Sequence, residues 1–400
     1  MDVKILVLVL MCLAPAMASA QSASPEPMPE PKSEPQGFVP EPGFITRTVL
    51  FADRHLGKGD LNNGFYVDFA DMIPGAGWVS VGPGWRQWYG RDTMLLDGSA
   101  SISWNGYKRA QARLELPKFL KSRLALGSTV RWFDYDAIDY FGAGPDTLET
   151  AQMEYGIQAT HAVAFATLRP TRWLDLDAEI GVLSPDLTIQ PLDMDLPSID
   201  QPTFVPSEVS LTIDLRNFPE HPTAGLLLRG AAAEFDDRDT GAFTFRRYEG
   251  EAAAFVPFAG ERLVLAMHGW AVSTDTEDGR SVPFYMLPGL GGAKTLRSFA
   301  DYRFHDRHMV VANVELKLAL MTHLDLAVFG DAGNVAPRFE DLDFAKRSYG
   351  VGLRLHTRRQ TFALLDVAHG AEGWRVLARL NEPLSLSRLN KRAAVVPFVP

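Results

Sequence analysis

Side chains able to carry covalent or metal chemistry are few in this chain, and they are scattered. No Gly-x-Ser-x-Gly nucleophile elbow and no His-Glu-x-x-His pair occurs, so neither of the spacings that set a serine beside its base or two imidazoles on one zinc ion is present. The nine histidines are dispersed, with no cysteine or histidine pair at metal-binding spacing. His161, His268 and His356 fall in segments that read as strands, and none has a partner nucleophile, so each reads as an inward or interface residue rather than a general base. The run Leu287 to Gly292, LPGLGG, has the glycine content of a phosphate loop but lacks a buried strand before it and a helix after it. No enzyme activity, catalytic residue, metal or cofactor is expected.

The remaining function classes narrow on composition. With 400 residues, 46% of them hydrophobic and 22% charged, the chain is too apolar to be disordered and too polar for a helical membrane bundle. Its net charge of −10 and the absence of any concentrated Lys/Arg patch exclude a nucleic-acid partner. Lys4, the apolar run Ile5 to Leu13 and the small residues Ala18-Ser19-Ala20 form a signal peptide over residues 1–20, with cleavage before Gln21. The single cysteine, Cys12, lies in that leader. Beyond it no stretch reaches the roughly 18 apolar residues of a membrane helix, which leaves an exported protein that is either soluble or a β-barrel.

Residues 21–44 carry proline at nearly every second position from Pro25 to Pro31, the composition of an extended linker. A short segment over 45–60 follows, with a turn of helix through Val49 to Arg54. From about 61 to 381 the pattern is alternation. In Met309 to Met321, Val310, Ala312, Val314, Leu316, Leu318 and Leu320 share one face, and Asn313, Glu315 and Lys317 the other. From His323 to Gly333, Leu324, Leu326 and Val328 oppose Asp325, Phe329 and Asp331. Such alternation also serves a soluble sandwich. Strand lengths of ten or more residues, the export signal and aromatic residues near strand ends (Trp78, Trp85, Trp88, Tyr89, Trp132, Tyr135 and Tyr140) favour an all-β transmembrane antiparallel β-barrel.

Sixteen strands are expected, beginning at Asn62 to Asp71 and running to 374–380, with the long connections 136–150, 184–206 and 275–308 on one side. The alternative for the last strand is Ala393 to Val399; otherwise residues 382–400 form a tail.

One stretch carries a recognisable pattern. Pro283 to Phe304, PFYMLPGLGGAKTLRSFADYRF, resembles the longest loop of the bacterial surface-antigen family, the BamA/TamA-type outer-membrane barrels. In that family a Gly-Gly precedes a hydrophobic-Arg-Gly-aromatic tetrad at the tip of a loop that folds back into the barrel. The matching residues here are Gly291, Gly292 and Leu296-Arg297-Ser298-Phe299, with Ser298 standing where the family has glycine. Glu315 matches a glutamate on the strand after the loop, and Phe329-Gly330-Asp331-Ala332-Gly333 is similar to the family's aromatic-x-Asp-x-Gly strand. Leu211 to Gly225, Phe141 to Gly144 and Tyr349 to Arg354 extend the match.

The resemblance implies that Arg297 enters the lumen and pairs with Glu315 and Asp331. A guanidinium held by two carboxylates there would make strong, charge-assisted bonds. For function it implies assistance to the insertion or export of proteins or lipids at the bacterial outer membrane, by a member in which no periplasmic POTRA module fits before the first strand. Its partners would be outer-membrane lipid, unfolded outer-membrane proteins and periplasmic factors. The alternatives are a passive or gated pore and an outer-membrane lipid hydrolase.

Overall fold

The structure, a computed structural model, describes residues 37–56, 63–73, 76–189 and 201–380. The expected leader, most of the expected Pro-rich linker and the expected tail with Ala393 to Val399 lie outside the described residues.

All sixteen expected long strands are present. They are β1 (Gly64–Ile73), β2 (Ala76–Tyr89), β3 (Met94–Ser103), β4 (Lys108–Phe119), β5 (Leu124–Tyr140), β6 (Met153–Thr171), β7 (Leu174–Ile189), β8 (Phe204–Asp214), β9 (Gly225–Asp237), β10 (Phe245–Phe258) and β11 (Leu263–Asp275). After the longest connection come β14 (His308–Met321), β15 (Leu324–Ala336), β16 (Lys346–His356), β17 (Thr361–Gly370) and β18 (Gly373–Leu380). Each pairs with its sequence neighbour in one sixteen-stranded antiparallel sheet, and the first and last strands contact each other. The connection itself holds the two-residue strands β12 (Gly289–Leu290) and β13 (Phe304–His305), which pair with each other.

Burial along the strands is inverted relative to a soluble protein. Val209, Val314, Leu316, Val328 and Val351 are between 43% and 60% exposed. Arg86, Asp97, Arg247, Asp331, Arg354 and Asp366 on the opposite face are all buried. Charged residues are almost never fully buried unless paired, so an apolar exterior around a charged interior identifies a wall that meets lipid outside and holds polar groups within.

Two aromatic assignments from the sequence are corrected. Tyr135 and Tyr140 belong to no outer girdle: both are buried. Tyr135 stacks on Phe133 and leans on Tyr107, with ring centroids 4.9 and 5.3 Å away. Tyr140 packs on Phe284 and His305 of the long connection. The β5–β6 ladder passes through a register shift between Tyr135 and Ile138 and continues to Tyr140, so the polar run Asp134 to Asp139 is still strand. The connection read as 136–150 is therefore shorter, and β7 likewise runs on to Ile189.

A further difference lies before the barrel, where a 14-residue helix α1 (Gly43–Leu56) replaces the single turn expected. Ile45, Thr46, Thr48 and Val49 are β-branched and lower helix propensity. Tertiary contact outweighs this: Val49 is fully buried, and Glu41 accepts a hydrogen bond from Thr46 Oγ1 at 2.6 Å. The same carboxylate accepts from the backbone N–H of His323, in the β14–β15 turn, at 2.7 Å. The amides of Phe38 and Val39 donate to the carbonyls of Ala319 and Leu320 at the end of β14. The chain ahead of the barrel is thus fastened to one turn.

Candidate functional site: an arginine cluster at the tip of the inward loop

Residues 276–307, between β11 and β14, fold into the lumen. Met286, Leu290, Leu296 and Phe299 are at most 1% exposed, and they share one hydrophobic cluster with Phe133, Tyr155, Phe204, Phe235, Phe245 and Trp270 of the wall. Burial of this apolar surface is what draws the loop inward. Its tip turns at Gly291 and Gly292, whose φ angles are +126° and +86°. A Cβ on Gly291 would lie 2.0 Å from the carbonyl oxygen of Ala300, and one on Gly292 1.9 Å from Asp301 Oδ1, so both positions require glycine. Thr295 Oγ1 closes the turn, donating to the Gly291 carbonyl at 2.8 Å and accepting from its amide at 2.9 Å.

The turn delivers Arg297 onto three strands. Its Nη2 lies 2.7 Å from Asp331 Oδ1 and its Nε 3.0 Å from Oδ2. The Arg297 amide donates to the same carboxylate at 3.2 Å. Nη1 donates to Glu315 Oε2 at 2.9 Å and lies 3.6 Å from Asp366 Oδ2. The guanidinium also covers the Phe329 ring, 3.4 Å from its centroid, which adds a cation–π attraction.

Arg354 on β16 forks onto Glu315 at 2.8 and 3.1 Å and donates to Asp366 on β17. Arg379 on β18 lies 3.6 Å from Asp366. Three guanidinium groups thus face three carboxylates, and every charge is balanced inside the wall, the condition under which buried ions are tolerated. Asn313 completes the shell, donating to Asp331 Oδ1 at 2.8 Å and to the carbonyl of Thr295 at 2.7 Å.

Ser298 sits at no positive φ, so the serine in the glycine place costs no backbone strain. Its amide donates to Ser348 Oγ at 3.0 Å, and the two hydroxyls are 2.7 Å apart. Leu296 and Phe299 are buried on either side of it. Gly333 abuts β14, where a Cβ would come 2.5 Å from the carbonyl of Val310, whereas a Cβ on Gly330 would meet only the Ser348 carbonyl, at an ordinary 3.9 Å.

Asp366 and Arg379 escaped the sequence reading, although a lone carboxylate on the inward face of the apolar strand TFALLDVAHG was a visible signal. Arg303 was also missed. Its guanidinium bonds the side chain and carbonyl of Thr147 and the Glu372 carboxylate at 2.7–2.8 Å, and it lies between the rings of Phe141 and Phe304. The loop base is thereby tied to the 141–152 connection, where the amide of Gly144 donates to the carbonyl of His305.

Comparison with known proteins gives the arrangement its context. The profile of the Omp85 superfamily domain matches residues 96–360, well over half of the chain. Among solved structures, BamA from Haemophilus ducreyi lacking POTRA domains 1–3 superposes with a TM-score of 0.63 at 16% identity, over 80% of this chain and 70% of that one. CdiB from Acinetobacter baumannii gives 0.50 at 12% identity, over 80% and 57%. At such identities these likenesses are of fold. No curated protein sequence matches the chain significantly. The sixteen-stranded wall, its inward loop and the matched profile agree: the chain is an outer-membrane β-barrel and belongs to the Omp85 superfamily.

Proposed function

We propose that this barrel assists the insertion or export of proteins or lipids at the outer membrane, after removal of residues 1–20 as a signal peptide. The observation that carries the reading is the buried cluster at the loop tip. Taking three guanidinium and three carboxylate groups out of water costs free energy that an apolar packing of similar volume would avoid. Such a cluster is better explained as a device that fixes a loop in one position than as a source of stability. Membership of the Omp85 superfamily supports the assembly and translocation class. The fastened segment at Phe38, Val39 and Glu41 offers periplasmic factors or clients a surface next to strand β14.

Packing of Met286, Leu290, Leu296 and Phe299 against the inner wall disfavours a passive pore, because a loop held inside the lumen narrows the path for conduction. The test is depletion of the protein in its own cells, with quantification of the outer-membrane proteome and of lipid asymmetry between the leaflets. Loss of a subset of outer-membrane proteins, or lipid mixing, restored by the wild-type gene and not by Arg297→Ala, is the expected outcome. Depletion that changes neither proteome nor asymmetry refutes the assignment.

A further inference from the structure

We propose that His221, Asp325 and His356 bind a divalent transition-metal ion of the zinc class at the periplasmic end of the lumen. The three residues are far apart in sequence, and the fold joins them. His221 comes from the ten-residue turn between β8 and β9, Asp325 from the start of β15, and His356 from the end of β16. Their available ligand atoms lie within 4.8 Å of one another, and the residues are 5%, 6% and 7% exposed. A point between them is a small side-chain adjustment from the roughly 2.0–2.2 Å that zinc takes to imidazole nitrogen and carboxylate oxygen.

The hydrogen bonds select the nitrogen atoms that face the ion. His356 Nδ1 lies 3.0 Å from the carbonyl of Thr357. A carbonyl only accepts, so Nδ1 carries the proton, and in the neutral ring Nε2 presents a lone pair. That Nε2 is buried and makes no hydrogen bond, yet it stands 3.1 Å from Asp325 Oδ1. A lone pair facing a carboxylate in a dry site is repulsive unless a metal ion or a proton lies between them, and the experiment below separates the two.

His221 is held in a similar way: its Nδ1 lies 3.0 Å from Thr361 Oγ1, a hydroxyl able to accept the ring proton, while Nε2 faces Asp325 Oδ2 from 4.0 Å. The two imidazoles are stacked, with centroids 4.0 Å apart and planes 9° from parallel, and they offer their Nε2 edges to the same carboxylate. Orientation of each ligating ring through its other nitrogen is the usual support of a histidine metal site.

Two imidazoles and one carboxylate suit zinc and its neighbours and discriminate against magnesium and calcium, which prefer all-oxygen sets. The nearby ammonium of Lys317 is turned to the carbonyl of Pro222 at 3.2 Å. A bound ion would staple the β8–β9 turn to β15 and β16, the strands that supply Asp331 and Arg354 to the arginine cluster. Its remaining coordination position is left for water.

The test uses tag-free, folded barrel in detergent, stripped with a chelator and re-equilibrated with zinc or, separately, cobalt(II). Metal is counted by mass spectrometry after gel filtration, and cobalt coordination is read from its visible d–d bands. The expected result is about one ion per chain and the intense bands of four-coordinate cobalt. His221→Gln, Asp325→Asn and His356→Gln should each weaken binding on the order of 100-fold while keeping heat-modifiable migration, because each removes a ligand. Thr361→Val, which removes only the partner of His221, should weaken it roughly 10-fold; this milder variant decides the matter if the ligand variants fail to fold. Folded wild-type barrel holding less than half an equivalent, or stoichiometric binding that survives in the triple ligand variant, overturns the site. So does unchanged affinity in Thr361→Val. In that event the stacked histidines and Asp325 are joined by protons alone.

Discussion

Replacing Arg297 by alanine should release the tip of the inward loop without dissolving the barrel. In the native protein this guanidinium makes a two-pronged contact with Asp331 and a single bond to Glu315, and it covers Phe329. Glu315 and Asp366 would keep Arg354 as partner after the change. The Asp331 side chain, with no exposed surface, would keep only Asn313 and the loop amide. Removing one partner of a buried ion pair typically costs about 3–5 kcal/mol, largely from the uncompensated charge left behind. At 1.4 kcal/mol per decade, that shifts a local opening equilibrium by roughly two to three and a half orders of magnitude.

Amide hydrogen exchange over Gly291 to Phe299 in detergent-solubilised barrel reads this shift directly, while amides in β14 and β15 report whether the wall stays closed. Because much of the loss comes from stranded Asp331, the double variant Arg297→Ala/Asp331→Asn should recover part of the protection, a non-additivity expected of groups in contact. Exchange in Arg297→Ala equal to wild type, or double-variant losses that simply add, would show these charges to be independently solvated and would sink the clamp.

Further expectations concern neighbouring contacts. Ser298→Gly should cost only on the order of 1 kcal/mol, the worth of its lost hydrogen bond. Gly370→Val should open the loop tip far more, because a Cβ there already meets Ser298 Oγ at 2.1 Å; the same exchange measurement separates the two. Arg303→Ala should make the 141–152 connection markedly more sensitive to protease added outside intact cells, since Thr147 and Glu372 lose their shared donor.

The N-terminal fastening should depend on acid. Burial pushes the Glu41 carboxyl up, but hydrogen bonds from Thr46 and His323 and attraction to His323 outweigh it and hold the group below its ordinary 4.5. A lowered carboxyl stabilises the folded arrangement above the unfolded value and loses that contribution as pH falls through the folded one. Proteolysis near Phe38 should therefore accelerate below about pH 4.5, and Glu41→Gln should show the acid rate at neutral pH. A rate independent of pH in the wild type refutes the latch.

The wall was legible because a strand in contact with lipid must alternate, and Val310 to Leu320 against Asn313, Glu315 and Lys317 leaves no other register. Parity failed where a strand leaves the bilayer. At Tyr135 and Tyr140 an aromatic near a strand end packs on a loop instead of lying at the headgroups, and no local pattern distinguishes the two. Helix α1 was underestimated because its β-branched residues argue against it, while the contacts that stabilise it come from distant sequence. Arg297, Glu315 and Asp331 were found through a motif. Asp366 and Arg379 complete the charge balance, and only strand pairing brings them near. The grouping of His221 with Asp325 and His356 depends on a turn reaching across to the ends of β15 and β16, which no spacing in the sequence encodes.

The uneven strand lengths have a consequence for the surrounding lipid. Strands β1, β3 and β17 have 10 residues each, whereas β5, β6 and β7 have 17, 19 and 16. At about 3.4 Å per residue and a tilt near 40°, the former rise about 26 Å and β6 about 50 Å. The β5–β7 side of the wall therefore has strand in excess of the hydrocarbon, whereas β1 and β17, near the meeting of the first and last strands, have almost no length in reserve. Lipids there must shorten or tilt to match them, at a modest cost per ångström. The bilayer beside these two strands is accordingly expected to be more easily disturbed than that beside β5–β7, a local softness that follows from strand length.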